Sequence, residues 1–235
     1  MSDSDQPSPK VRPIGGTENS WCKAASGGTG ITVLSLLFNK HPNLDLLQNA
    51  LHKLQNYHPI LRANLHFDPL TTTFSLVIPP PSASTANLQP FDHQSTAQII
   101  QSEGPTVTTP FQILLEHELN NNPWENLDRS ASSSSVDVMH VSVYEIEEGV
   151  KWTVMMKLHT GVCDRTAAFA VMKELMGLMM KNGGGTQEEE REEITFMAQV
   201  QRLSNLDFID PDSPRSSRVA RLLLDSDPTT KLLEV

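Results

Sequence analysis

His159-Thr160-Gly161-Val162-Cys163-Asp164 stands where one pattern of residues gives way to another. Before it, Val136 to Ile146 and Lys151 to Leu158 are two runs rich in valine and other strand formers,. They are joined across Glu147 to Val150, where an acidic pair and a glycine suit a turn,. After it, Ala168, Val171, Met172, Leu175 and Met179 recur at spacings of three and four, predicting a helix from Asp164 as N-cap to Lys181,. A hairpin therefore feeds its second strand directly into a helix. Strand ends of this kind are where α/β sheets place reactive side chains, so these six residues are the first candidates for a site.

Toward the N-terminus, Gly27, Gly28 and Gly30 lead into the apolar run Ile31 to Phe38, which reads as a buried strand,. Pro42 and Asn43 then open a helix over 43–57 on which Leu44, Leu47, Leu51 and Leu54 form one stripe, with Ala50 beside them,. It stops at His58-Pro59, because proline disfavours helix in the residue before it,. Ile60 to Phe67 alternates as a strand should, and Phe74 to Ile78 is expected to pair with it,. A proline-rich loop follows at Pro79 to Pro81. Thr96 to Glu103 and Phe111 to Leu119 read as short helices, and Ser130 to Ser135 as a surface connection,.

The ends are less patterned. Residues 1–11 read as a disordered tail, 12–204 as one globular lobe and 205–235 as a poorly patterned tail with one amphipathic patch, Val219 to Leu224,. Gly183 to Gly185 is expected to end the last helix, and the charge-dense segment 187–193 to be a solvated face,.

Composition narrows the partners. With 28 acidic and 18 basic residues, the 235-residue chain carries a formal charge of −10, which argues against nonspecific binding of nucleic acid or an anionic membrane. No run approaches the ~20 apolar residues of a membrane span, and Met1 to Lys10 lacks the pattern of a secretory signal,. Cys22 and Cys163 follow neither a disulfide framework nor zinc-ligand spacing,. A cytoplasmic protein without a metal centre is the expectation.

Each residue of the candidate site has two readings. A histidine at a strand end can serve as a general base, or sit half buried as a hydrogen-bonded structural group. Asp164 at the helix start caps the helix and gains from its dipole. Cys163 is a small buried hydrophobe unless its surroundings lower its pKa.

The order of parts adds a family. Gly15-Gly16-Thr17-Glu18, the helix from Asn43 to Tyr57, His58-Pro59-Ile60-Leu61-Arg62, and a strand leading to His159-x4-Asp164 with a small-residue helix together resemble the condensation and CoA-dependent acyltransferase superfamily. That superfamily includes the BAHD, alcohol acetyltransferase-like and chloramphenicol acetyltransferase-like enzymes. The resemblance spans residues 12–182. It implies a mixed α/β (α+β) fold, an acyltransferase-like two-layer sandwich forming one lobe of the usual two.

The resemblance also implies His159, Thr160 and Asp164 as site residues, with Arg62 or Arg12 pairing with Asp164 as structural support. The family signature is His-His-x-x-x-Asp-Gly, its second histidine being the base. Aligned on Asp164, that position is Thr160, and Arg165 replaces the glycine. Threonine cannot take up a proton near neutral pH. General-base catalysis contributes about 10²- to 10⁴-fold, so its loss leaves positioning and binding alone.

Two functions follow from the resemblance. One is transfer of an acyl group from a CoA thioester cosubstrate, not held tightly, to a small alcohol or amine acceptor. The other is a noncatalytic lobe that binds a ligand or partner. Relatives with two lobes carry a second motif, Asp-Phe-Gly-Trp-Gly, that this chain lacks. The chain is thus expected to be a truncated lobe, or a homo-oligomer with sites between identical subunits.

Overall fold

The hairpin forms the centre of the protein. In the computed structural model, which describes residues 8–81, 86–103, 109–129, 133–182 and 194–197, strands β7 (Met139–Glu147) and β8 (Lys151–His159) pair antiparallel, Met139 opposite Leu158. Gly149 turns the chain at φ +68°, a left-handed conformation that glycine adopts without a Cβ penalty,.

Around this pair the elements follow in the order β1 (Lys10–Pro13), α1 (Gly16–Ser26), β2 (Ile31–Phe38), α2 (Leu44–Tyr57), β3 (Asn64–Asp68), β4 (Thr73–Ile78) and β5 (Leu88–Phe91). Helices α3 (His93–Glu103) and α4 (Pro110–Asn120), strand β6 (Ser134–Asp137), the hairpin, helix α5 (Arg165–Asn182) and strand β9 (Ile194–Met197) complete them. Two sheets result, a five-stranded one in the order β5-β7-β8-β2-β9 and a four-stranded one in the order β1-β4-β3-β6. Only β5 against β7 is parallel among the described pairs. The class is mixed α/β, as the sequence implies.

Strand alternation divides the core in two. Trp152, Val154, Met156 and Leu158 of β8 point to the face covered by α2 and α5, while Met155 points to the other,. On the first face Leu47, Leu51 and Leu54 of α2 are each 0% exposed, contributing about 1.5–3 kcal/mol apiece by burial. Asn43 Oδ1 caps this helix by accepting the Leu46 N–H at 3.0 Å,. The second face is also filled: α1, α4 and the inner side of the smaller sheet supply Cys22, Leu114, Leu115, Leu65 and Phe67.

Several expectations change. Ile60 to Arg62 belong to a 3-10 turn over Pro59–Arg62, and β3 begins only at Asn64. Proline at its start presets the backbone, and Leu61 and Ala63 donate back to His58 O and Ile60 O at 2.9 and 3.1 Å,. Lys10 and Val11 are not tail but part of β1, paired with β4. Gly16–Ser26, for which the sequence offered no element, is helix α1, its start closed by Glu18 accepting the Gly15 N–H at 3.2 Å. Ser134 and Ser135 lie in β6 rather than in a connection. Residues 183–185, 187–193 and Val219 to Leu224 lie outside the described residues, as does the boundary at 204–205. No helix among the described residues is long and apolar enough to cross a membrane.

Candidate functional site

Strand β8 reaches the candidate turn with its pairing intact, Ile31 of β2 lying opposite His159. The Thr160 N–H donates to Gly30 O at 3.0 Å, and those of Val162 and Cys163 fold back to His159 O at 3.0 and 3.1 Å. Asp164 then starts α5. Its Oδ1 accepts the Ala167 N–H at 2.8 Å and its carbonyl accepts that of Ala168 at 2.8 Å, the geometry of an N-cap,.

His159 is turned inward and is 0% exposed. Its Nδ1 accepts the Gly161 N–H at 3.1 Å, which assigns the ring proton to Nε2. Nε2 itself is buried without a hydrogen-bond partner. The ring meets that of Trp124 edge to face, centroids 5.2 Å apart and planes at 83°. Burial lowers its pKa to about 4. The lone pair that would take a proton is thus already engaged by the backbone, on a ring that is wholly buried.

Thr160 faces the opposite way, as alternation along a strand end requires. It is 5% exposed, with its hydroxyl 3.2 Å from that of Thr32. Cys163 is buried, and burial together with the nearby Asp164 charge raises its pKa to about 11. No thiolate nucleophile is available there.

The expected arginine partners of Asp164 are engaged elsewhere. Arg12 forms a two-point pair with Glu18 at 2.9 and 2.8 Å. Arg62 donates to Pro79 O at 2.8 Å and to Gln55 O at 2.9 Å. Gln55 O lies in the last turn of α2, where carbonyls lack intrahelical partners, so Arg62 ties a helix end to the end of β4. Asp164 is exposed and bonded to its own helix, which removes the need for an arginine.

The residues that hold His159 in place were not visible in the sequence. Trp124 approaches from the segment after α4, its Nε1–H donating to Asp137 O at 2.9 Å. A Cβ added to Gly161 would lie 3.0 and 3.1 Å from His159 ring atoms and 3.2 Å from Trp21 Cβ. The Gly161 position thus requires glycine for space. Two residues before His159, on the same face of β8, Lys157 pairs with Glu118 at 2.7 Å and donates to Asn121 O at 2.6 Å. Tyr144 OH donates to Glu118 at 2.6 Å. Burial pushes the Glu118 pKa up, but the Lys157 charge and the hydrogen bonds from Lys157, Ser142 and Tyr144 outweigh it and hold the carboxyl ionised,.

An open depression of about 570 Å³ lined by His41, Asn43, Leu44 and Asp45 lies at the start of α2. That is the end of β2 away from the turn, so it takes no part in the site.

No family model matches the chain, and no curated protein matches it. Solved structures do. The starter condensation domain of rhizomide synthetase RzmA superposes with a TM-score of 0.54 at 9% identity, over 75% of this chain and 40% of that one. The chain has the fold of one condensation-domain lobe. A variant of the same domain in complex with C8-CoA and Leu-SNAC matches with a TM-score of 0.53 at 9% identity, over 75% of this chain and 37% of that one. The structure of holo T3CT gives 0.54 at 9% identity, over 76% and 36%. The chain therefore spans well under half the length of these solved proteins.

Proposed function

We propose that this chain is an acyltransferase-like lobe that binds an acyl-CoA thioester but supplies no general base, and so does not by itself transfer the acyl group. One observation carries the reading. The position where the resembling family places its base is Thr160, bonded to Thr32 inside the lobe, while the adjacent His159 has its basic nitrogen bonded to Gly161. The fold shared with a domain solved in complex with C8-CoA supports the thioester as ligand. The coverage of under half of those chains supports a site completed by a second lobe, from an identical subunit or a longer chain, which would also hold the small alcohol or amine acceptor. Buried thiols at Cys22 and Cys163 suit a reducing compartment such as the cytoplasm,.

The test is thiol release from acetyl-CoA and octanoyl-CoA with small alcohols and amines as acceptors, alongside calorimetry of thioester binding. Binding without release above the uncatalysed rate is expected. Thr160→His is expected to remain inactive, because the new imidazole points toward Thr32. Acyl transfer by the unaltered chain, lost in His159→Gln, would overturn the reading.

A further inference from the structure

The two faces of the five-stranded sheet are built from different materials. The face toward α4 and the smaller sheet packs Trp124, Tyr144, Phe67 and Phe74, is pinned by the Tyr144–Glu118–Lys157 hydrogen bonds, and includes Met155 alone among the described methionines. The face under α5 gathers Met139, Met156 and Met172 in its buried core, with Met176 and Met179 packed against them. Methionine is unbranched, has three rotatable bonds and a polarisable sulfur, and so yields in shape where leucine or a ring resists.

The position of this soft layer matters as much as its composition. Leu158, Cys163 and Ala168 belong to the same cluster and flank the candidate turn on both sides. From there Ala168, Met172, Met176 and Met179 follow one another down a single face of α5 at helical spacing,. Across from them Met156 lies two residues before Leu158 on the same face of β8, and Met139 is the partner of Leu158 in register. A deformable apolar track thus begins at the turn and runs between α5 and the sheet.

We propose that this methionine layer receives the alkyl chain of the thioester, a straight saturated chain entering beside Cys163 and Ala168. It rests on the acyl-thioester reading above and names the part of the ligand that the lobe itself recognises. Met139, Met156 and Met172 are buried in this structure, so the chain enters by displacing methionine side chains, which cost less to rearrange than branched or aromatic ones.

Methyl-¹³C methionine spectra of the full chain test this, titrated with octanoyl-CoA, acetyl-CoA, CoA and sodium octanoate. Octanoyl-CoA is expected to shift the methyl signals of Met139, Met156 and Met172 and to leave Met155, the sequence neighbour of Met156 on the opposite face, unmoved. Replacing the three by leucine is expected to weaken octanoyl-CoA binding about tenfold and leave acetyl-CoA binding unchanged. Octanoyl-CoA binding without methyl shifts, or an equal shift at Met155, would overturn the proposal. Shifts caused by octanoate with no response to CoA or acetyl-CoA would support the alkyl receptor and overturn the thioester reading. Absence of any response to octanoyl-CoA and octanoate would overturn the receptor.

Discussion

The backbone N–H of Gly161 donates to Nδ1 of His159 at 3.1 Å. This bond settles the tautomer of a fully buried ring, turns its remaining N–H toward the interior, and uses the lone pair that base catalysis would need. A residue with the composition of a catalyst is thereby a structural joint between β8 and α5.

Burial of this imidazole makes stability depend on pH. Its pKa is lowered from 6.5 to about 4, so above 6.5 the ring is neutral folded or unfolded. Between 6.5 and 4 the unfolded chain takes up a proton that the folded one refuses, and stability falls as pH falls, by up to about 3 kcal/mol. Urea unfolding midpoints from pH 7.5 to 4.5 should drop more steeply for the native chain than for His159→Gln. Parallel curves would show that the ring titrates freely.

Two glycines in reach of one another's sequence should respond in opposite ways to alanine. Gly161→Ala places a methyl against the His159 ring and Trp21 and is expected to cost about 1–3 kcal/mol. Gly177→Ala in α5 meets nothing within 4 Å and is expected to stabilise by up to about 1 kcal/mol through helix propensity. Thermal melts of the pair decide it.

Lys157 and Glu118 should show strong coupling. Either Lys157→Met or Glu118→Gln leaves a buried partner uncompensated and is expected to cost about 3–5 kcal/mol. The double variant Lys157→Met, Glu118→Gln is expected to cost less than the sum, because both charges leave together. A double-mutant cycle measured by urea denaturation would show additivity if the pair were solvated rather than buried.

Arg62 and Asp164 should behave as strangers. Arg62→Ala removes bonds to Gln55 O and Pro79 O, and about 1–3 kcal/mol is expected with it. Asp164→Ala removes a helix cap, worth about 1 kcal/mol. The two losses should add within about 0.5 kcal/mol, whereas a shared ion pair would make the double variant markedly less costly than the sum.

Local patterns carried much of the architecture. The β7–β8 hairpin, α2 with its Asn43 cap, and α5 with its Asp164 cap were legible because each depends on contacts within a few residues or on one periodic face. Helix α1 was not legible, since Gly15 and Gly16 are poor helix formers while the side chain that closes the helix start is Glu18,. The strand expected over Ile60 to Arg62 failed because alternation alone does not register the 3-10 preference that Pro59 imposes,.

The candidate site divides along the same line. By itself the sequence determined that a strand ends at His159, that a helix begins after Asp164, and that no imidazole occupies position 160, since these are matters of residue type and local period. Only the tertiary structure decided that His159 points inward onto Trp124, that Thr160 faces Thr32, and that Arg62 serves α2 and β4 instead of Asp164. Those pairings join residues 35 to 128 positions apart or compete for one donor among several acceptors. They are settled by how the two faces of the sheet are filled, which no local pattern encodes.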